Sequence, residues 1–173
     1  MKENAMVDLE TMGTGGNAAI VAVGMVKFDK SGIGETYYAK LDLKEVCSYG
    51  MEIDPDTVLW WLKQSDEARA ELTDGNTLPL LEMMDEIETF LGDDAVVWGN
   101  GSDFDNVILG NVWKSLGKEV PWKYWNSQCY KTIKNTYRDV KMKRTGTHHN
   151  ALHDAISQAE HLIDIATAKG FEL

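Results

Sequence analysis

The apolar residues of the N-terminal third come in short, dense runs. Residues 5–9 read as a short strand, and residues 20–28 (IVAVGMVKF) as a strand covered on both faces, because a strand with one wet face would alternate apolar and polar positions. Asp29-Lys30-Ser31-Gly32 has turn chemistry. It leads into residues 33–41, where Thr36, Tyr37 and Tyr38 favour a third strand. Three strands with short connections predict an antiparallel meander. The spacing then becomes helical. Asp54-Pro55 forms an N-cap followed by proline, opening a helix over 56–64, and Ser65 caps a second through Leu72. Leu80, Met83, Met84, Ile87, Phe90 and Leu91 mark an amphipathic helix. A fourth strand is expected over 95–98, a helix over 103–116 with Phe104, Val107, Ile108 and Val112 inward, and a weaker strand over 125–129. The last helix, from about 150 to 168, should be buried through Ala155, Ile156, Ala159, Leu162 and Ile163. The order of elements predicts an α/β domain on a mixed sheet, an antiparallel three-strand meander plus parallel strands, flanked by helices. No repeat or linker interrupts residues 1–173, which read as one domain.

Composition narrows the class. Hydrophobic residues make up 43% and charged residues 26%, as in soluble globular proteins. No window approaches the apolar length of a membrane helix, and Met1-Lys2-Glu3-Asn4 lacks a signal-peptide core. Cys47 and Cys129 are lone thiols, so a cytoplasmic setting without a membrane is expected. The net charge of −11 argues against a polyanionic partner, but the charge is uneven. Lys131, Lys134, Arg138, Lys141, Lys143 and Arg144 are opposed locally by Asp139 alone, leaving about −16 on the rest of the chain. This segment is either a solvated loop or a local contact for a polyanion on an acidic body.

Three acidic motifs and one histidine carry the candidate chemistry. Asp8 and Glu10 are two apart on the first strand, so their carboxylates point to one face and can converge on a hard cation. Asn100 to Asp105 leaves the fourth strand through a glycine turn and enters a helix. There Asp105 either serves a site or, with Ser102 as N-cap, complements the helix dipole. His149 and Asp154 would lie roughly 140° apart on one helix. They share a site only if His149 sits in the preceding loop, which Thr145-Gly146-Thr147 and an Asn150 N-cap allow. His148 and His153 lack that spacing and read as bystanders.

In this order, Asp8-x-Glu10, Asn100 to Asp105 and His149-x₄-Asp154 resemble the DEDDh exonucleases of the ribonuclease H-like superfamily, which include proofreading subunits, ribonuclease T and oligoribonuclease. The resemblance spans residues 5 to about 165. DLETMGTGGNAAI, WWLKQSDEAR and WGNGSDFDNVIL look most like the small phage and bacterial exoribonuclease-like branch, which is also similar to exodeoxyribonuclease VIII. It implies a ribonuclease H-like fold and a 3′–5′ exonuclease that releases nucleoside 5′-monophosphates from an RNA or DNA 3′ end, RNA being favoured. It also implies two Mg²⁺ or Mn²⁺ ions on Asp8, Glu10, Asp105 and Asp154, His149 as general base, and a homodimer, as in many relatives. Thr11 and Met12 would hold the terminal 3′ hydroxyl through backbone groups.

Trp60 and Trp61 follow each other on a helix, so both cannot face one core. Each is a candidate to stack on a terminal base or to pack in the core, and Trp61 is taken as the substrate contact. Lys141, Lys143 and Arg144 precede His149 and are expected on backbone phosphates. A ribonuclease H-type endonuclease uses similar carboxylates but not His149-x₄-Asp154. A haloacid-dehalogenase phosphatase wants Asp-x-Asp-x-Thr, which Asp8-Leu9-Glu10-Thr11 does not supply. A silent binding module would have lost a ligand or the histidine, and none is missing.

Overall fold

Strand β1 (Asn4–Thr11) has no wet face. In the computed structural model, which describes residues 3–73 and 75–173, Ala5, Val7 and Leu9 point into one apolar cluster and Met6 into another. Asp8 and Glu10 continue the Met6 side, as period-two alternation requires. β1 pairs antiparallel with β2 (Ile20–Asp29), which pairs antiparallel with β3 (Gly32–Lys40). β4 (Val96–Gly99) runs parallel to β1, and β5 (Ser127–Cys129) parallel to β4. The order is β3-β2-β1-β4-β5, a mixed five-stranded sheet.

Helices cover both faces. The larger cluster joins the sheet to α4 (Leu80–Leu91) through Met83, Met84 and Ile87, and to α5 (Asp105–Ser115) through Ile108, Leu109 and Val112. The other packs Met6, Val26 and Phe28 against Ala155, Ala159 and Leu162 of α7 (Ala151–Lys169). The predicted Ile156 and Ile163 are only partly buried, and His161 is buried instead. Short helices α2 (Pro55–Trp61) and α3 (Asp66–Thr73) follow the meander, and Asp54 caps α2 as expected. Two helices were not expected. α1 (Leu43–Ser48) is capped by Asp42, whose carboxylate accepts from the Lys44 and Glu45 amides. α6 (Tyr130–Thr136) begins the basic segment. Of the segment read as a fifth strand, residues 127–129 form β5, while Trp125 and Asn126 belong to a 3₁₀ turn over Tyr124–Asn126.

One close approach fixes where α7 begins. Gly24 is the register partner of Asp8, and a Cβ there would lie 2.2 Å from the Ala151 carbonyl carbon and the Leu152 nitrogen. Only a glycine lets the helix start rest on the strand at this point. Among the described residues, no helix is long and apolar enough to cross a membrane.

Candidate active site

The C-terminal end of β1 opens into a cavity of about 620 Å³ whose walls come from α2, α6, α7 and the loop before α7. Asp8 and Glu10 project into it from the strand, and Asp154 from the first turn of α7. One carboxylate oxygen from each of the three lies within 4.8 Å of the others. All three residues are buried. Burial, then the charges of Asp105 and Glu10, pushes the Asp8 carboxyl well above its ordinary range. Burial, then Asp154 and Asp105, pushes Glu10 up to about 8.

Asp105 stands behind this trio. It is 1% exposed, and its two carboxylate oxygens accept the Leu9 amide at 3.1 Å and the Asn100 amide at 2.7 Å. Burial raises it to about 6 against the pull of those amides. Its helix has no Ser102 cap: Phe104 holds the N-cap position without a side-chain bond. Asp105 therefore ties β1 to the β4–α5 turn and adds charge beside Asp8.

His149 reaches the site from the loop, as its spacing requires, and Asn150 caps α7 by accepting from the His153 amide. The backbone amide of His149 donates to Asp154 Oδ2 at 3.1 Å. Among the described residues, His149 is the one non-glycine residue with positive φ, at 61°, a conformation that is uncommon outside glycine and that clusters at functional sites. Its ring meets Trp60 and Trp61 edge-on at 5.0 and 5.9 Å and lies 3.7 Å from the His148 ring. Burial and His148 lower its pKa, so the imidazole is neutral at pH 7. His153 is no spectator: its Nδ1 accepts the Thr147 amide at 3.0 Å, and Gly146 packs closely over its ring. It props the loop that presents His149.

The expected substrate contacts divide. Thr11, Trp61 and Arg144 line the cavity, whereas Met12, Lys141 and Lys143 do not. The Met12 amide donates to Ala19 O at 2.8 Å and its carbonyl accepts the Asp54 amide at 2.7 Å, so both backbone groups are engaged within the fold. Lys141 and Lys143 lie exposed on the extended segment before the loop. Trp61 is 3% exposed, and its indole N–H donates to Thr11 O at 2.9 Å. That makes it a prop for the strand end, while Trp60, 43% exposed, is the tryptophan of the pair open to solvent. Arg144 Nη1 donates to Asp154 Oδ1 at 2.5 Å.

Further side chains line the site, among them His148, which its spacing had set aside, Gln158 and Lys134. Gln158, one helical turn beyond Asp154, donates from Nε2 to Asp8 Oδ1 at 2.6 Å, and the i, i+4 spacing on α7 is the signal that could have found it. Lys134 on α6 lines the cavity beside Tyr130. It was hidden because the helix that turns it inward was not foreseen.

The donor set suits a hard divalent cation. Three buried carboxylates converge with only Arg144 in contact as a counter-charge among the described residues, and oxygen-only sites of this kind fit Mg²⁺ or Mn²⁺.

Several solved structures share this fold. Exonuclease I from E. coli, in complex with a dA16 oligonucleotide, superposes with a TM-score of 0.68 at 13% identity, covering 96% of this chain and 41% of that one. Exonuclease I from Methylocaldum szegediense gives 0.68 at 13%, covering 98% and 41%. The nuclease domain of 3′hExo, a DEDDh family member bound to rAMP, gives 0.62 at 13%, covering 99% and 94%. The chain thus spans about two fifths of the exonuclease I chains and nearly all of the 3′hExo nuclease domain, and its mixed sheet is the ribonuclease H-like fold. No curated protein matches the sequence. The model of the Rv2179c-like 3′–5′ exoribonuclease domain matches residues 3–166, and the chain belongs to that family.

Proposed function

We propose that the chain is a metal-dependent 3′–5′ exonuclease that removes nucleoside 5′-monophosphates one at a time from nucleic-acid 3′ ends, with RNA as the preferred substrate. The observation that carries this reading is the convergence of Asp8, Glu10 and Asp154 to within 4.8 Å, with His149 held over Asp154. Asp8, Glu10 and Asp154 would hold one ion, and Asp8 with Asp105 would serve a second. Bound there, the ions supply positive charge for the attacking and leaving oxygens of a phosphodiester.

The protein's own groups do the rest. Neutral His149 takes a proton from the attacking water, and its lowered pKa keeps it available as a base at neutral pH. The strained backbone and the Trp60 and Trp61 edges fix where the ring points. Gln158 holds one Asp8 oxygen, which leaves the other free to face the cavity. Thr11 lies at the strand end, where a terminal ribose would sit, and Trp60 offers a face for the terminal base.

RNA is favoured because the matched family is an exoribonuclease domain. A DNA exonuclease is the second reading, supported by the fold shared with exonuclease I in complex with dA16. The test compares end-labelled RNA and DNA of one sequence, single-stranded and with 3′ overhangs, in Mg²⁺ and in Mn²⁺. Faster shortening of RNA supports the proposal, and faster shortening of DNA moves the assignment to the second reading.

A further inference from the structure

The cations of the basic segment are not equivalent. Lys141 and Lys143 are exposed and lie outside the cavity, but Lys134 is half-buried in its wall. Its Nζ stands 5.5 Å from the Tyr130 ring centroid. None of the ion pairs among the described residues includes Lys134. Burial, then Lys131 and Arg144, holds its pKa below the usual lysine range. A cation drawn partly out of water, beside two other cations and without a carboxylate, is electrostatically unfavourable where it stands. An anion entering the cavity removes that penalty. An ammonium is a compact point charge with three donors, suited to a phosphate oxygen rather than to the flat edge of a base.

Position says which phosphate. Arg144 touches the carboxylate cluster through Asp154, so it stands where the scissile phosphate must come. Lys134 contacts none of the cluster's carboxylates, yet lines the same cavity and lies close enough to Arg144 to feel its charge. The two cations therefore line one cavity from different segments, Arg144 in contact with the carboxylate cluster and Lys134, on α6, apart from it.

We propose that Lys134 holds the backbone phosphate next to the scissile one, so that the cavity grips two consecutive phosphates of the strand. This rests on the exonuclease reading and assigns the grip to α6 rather than to the exposed lysines beyond it. Such a contact reads the backbone alone and acts equally on RNA and DNA.

The test uses two lengths of substrate and two variants. A dinucleotide with a 5′ hydroxyl carries only the scissile phosphate, and a trinucleotide adds its neighbour. Lys134→Met keeps an apolar stem against Tyr130 and loses the charge, whereas Lys134→Arg keeps the charge. For Lys134→Met, KM on the trinucleotide should rise about tenfold at low salt, the size of one hydrogen bond to a charged group, with kcat little changed. Its salt slope should fall by roughly one unit. The rise on the dinucleotide should be at most about twofold, and Lys134→Arg should recover most of the loss. Equal losses on both lengths, or none on the trinucleotide, would overturn the proposal while leaving the exonuclease reading intact. A wild-type protein that shortens neither substrate, nor any longer strand, would overturn both.

Discussion

His149 holds a left-handed backbone, φ 61°, in the lining of the cavity, and asparagine tolerates that conformation better than most residues. His149→Asn should therefore keep the fold, yet it cannot take a proton near neutrality. Its kcat should fall about 10²–10⁴-fold with KM little changed, the mark of an interaction made in the transition state. Rates at saturating Mg²⁺ with a thermal melt as the fold check would show it, and a near wild-type kcat would remove His149 as the base. His153→Ala should cost less, but not nothing, because His153 supports the loop through the Thr147 amide. Trp60 and Trp61 make a second contrast. Trp60→Ala should raise KM several-fold, since base stacking on an aromatic is worth about 1–3 kcal/mol, and should leave stability nearly unchanged. Trp61→Ala should lower stability by about 3–5 kcal/mol, the range for removing a buried Trp. The residues of chemistry were legible because their spacing is tied to local geometry: two apart on a strand for Asp8 and Glu10, loop then capped helix for His149 and Asp154. Which tryptophan is buried was not legible, since adjacent helical positions differ by about 100° and the choice is made by tertiary partners, the larger apolar cluster and the Thr11 carbonyl, both on the Trp61 side.

At the level of elements, the site depends on where α7 meets the sheet. Gly24 sits opposite Asp8, under the first turn of the helix that carries Asp154. Gly24→Ala would push backbone against backbone, and overpacking of this kind destabilises by about 1–3 kcal/mol or more. The same shift moves Asp154 away from Asp8, so metal affinity should drop along with the melting temperature. Isothermal titration with Mn²⁺ on the folded variant would check this; wild-type affinity would mean that the two elements are not coupled through Gly24. The meander, α4 and α7 were readable from apolar spacing and caps. α6 was not, because Tyr130-Lys131-Thr132-Ile133-Lys134-Asn135-Thr136 mixes β-branched and polar residues with weak helix propensity. Packing of Tyr130 and Ile133 against the α7 cluster overrides that propensity, and with the helix hidden, the inward turn of Lys134 was hidden too.

Across the whole molecule, the carboxylate cluster should make stability depend on pH in an unusual direction. Glu10 titrates near 8 in the fold against an ordinary 4.5, and Asp105 near 6 against 3.8. The folded protein therefore holds more protons than the unfolded chain between those values, and stability falls as pH rises through them. In chelator, the melting temperature should decline from about pH 5 to 8. Saturating Mg²⁺ should flatten or reverse the decline, because a divalent ion favours the charged carboxylates and stabilises the state that binds it. A melting temperature that rises with pH in chelator would contradict the buried cluster. If these residues form the active site of a 3′–5′ exonuclease, activity must need both the metal and Asp154 and must start at the 3′ end. RNA labelled at the 5′ end is incubated in Mg²⁺ with the wild type, with Asp154→Asn, and with the wild type in excess EDTA. The wild type in Mg²⁺ alone should give a ladder shortening one nucleotide at a time from the 3′ end, with 5′-monophosphates released. Full activity in chelator, an active Asp154→Asn, or cleavage at internal positions would contradict it.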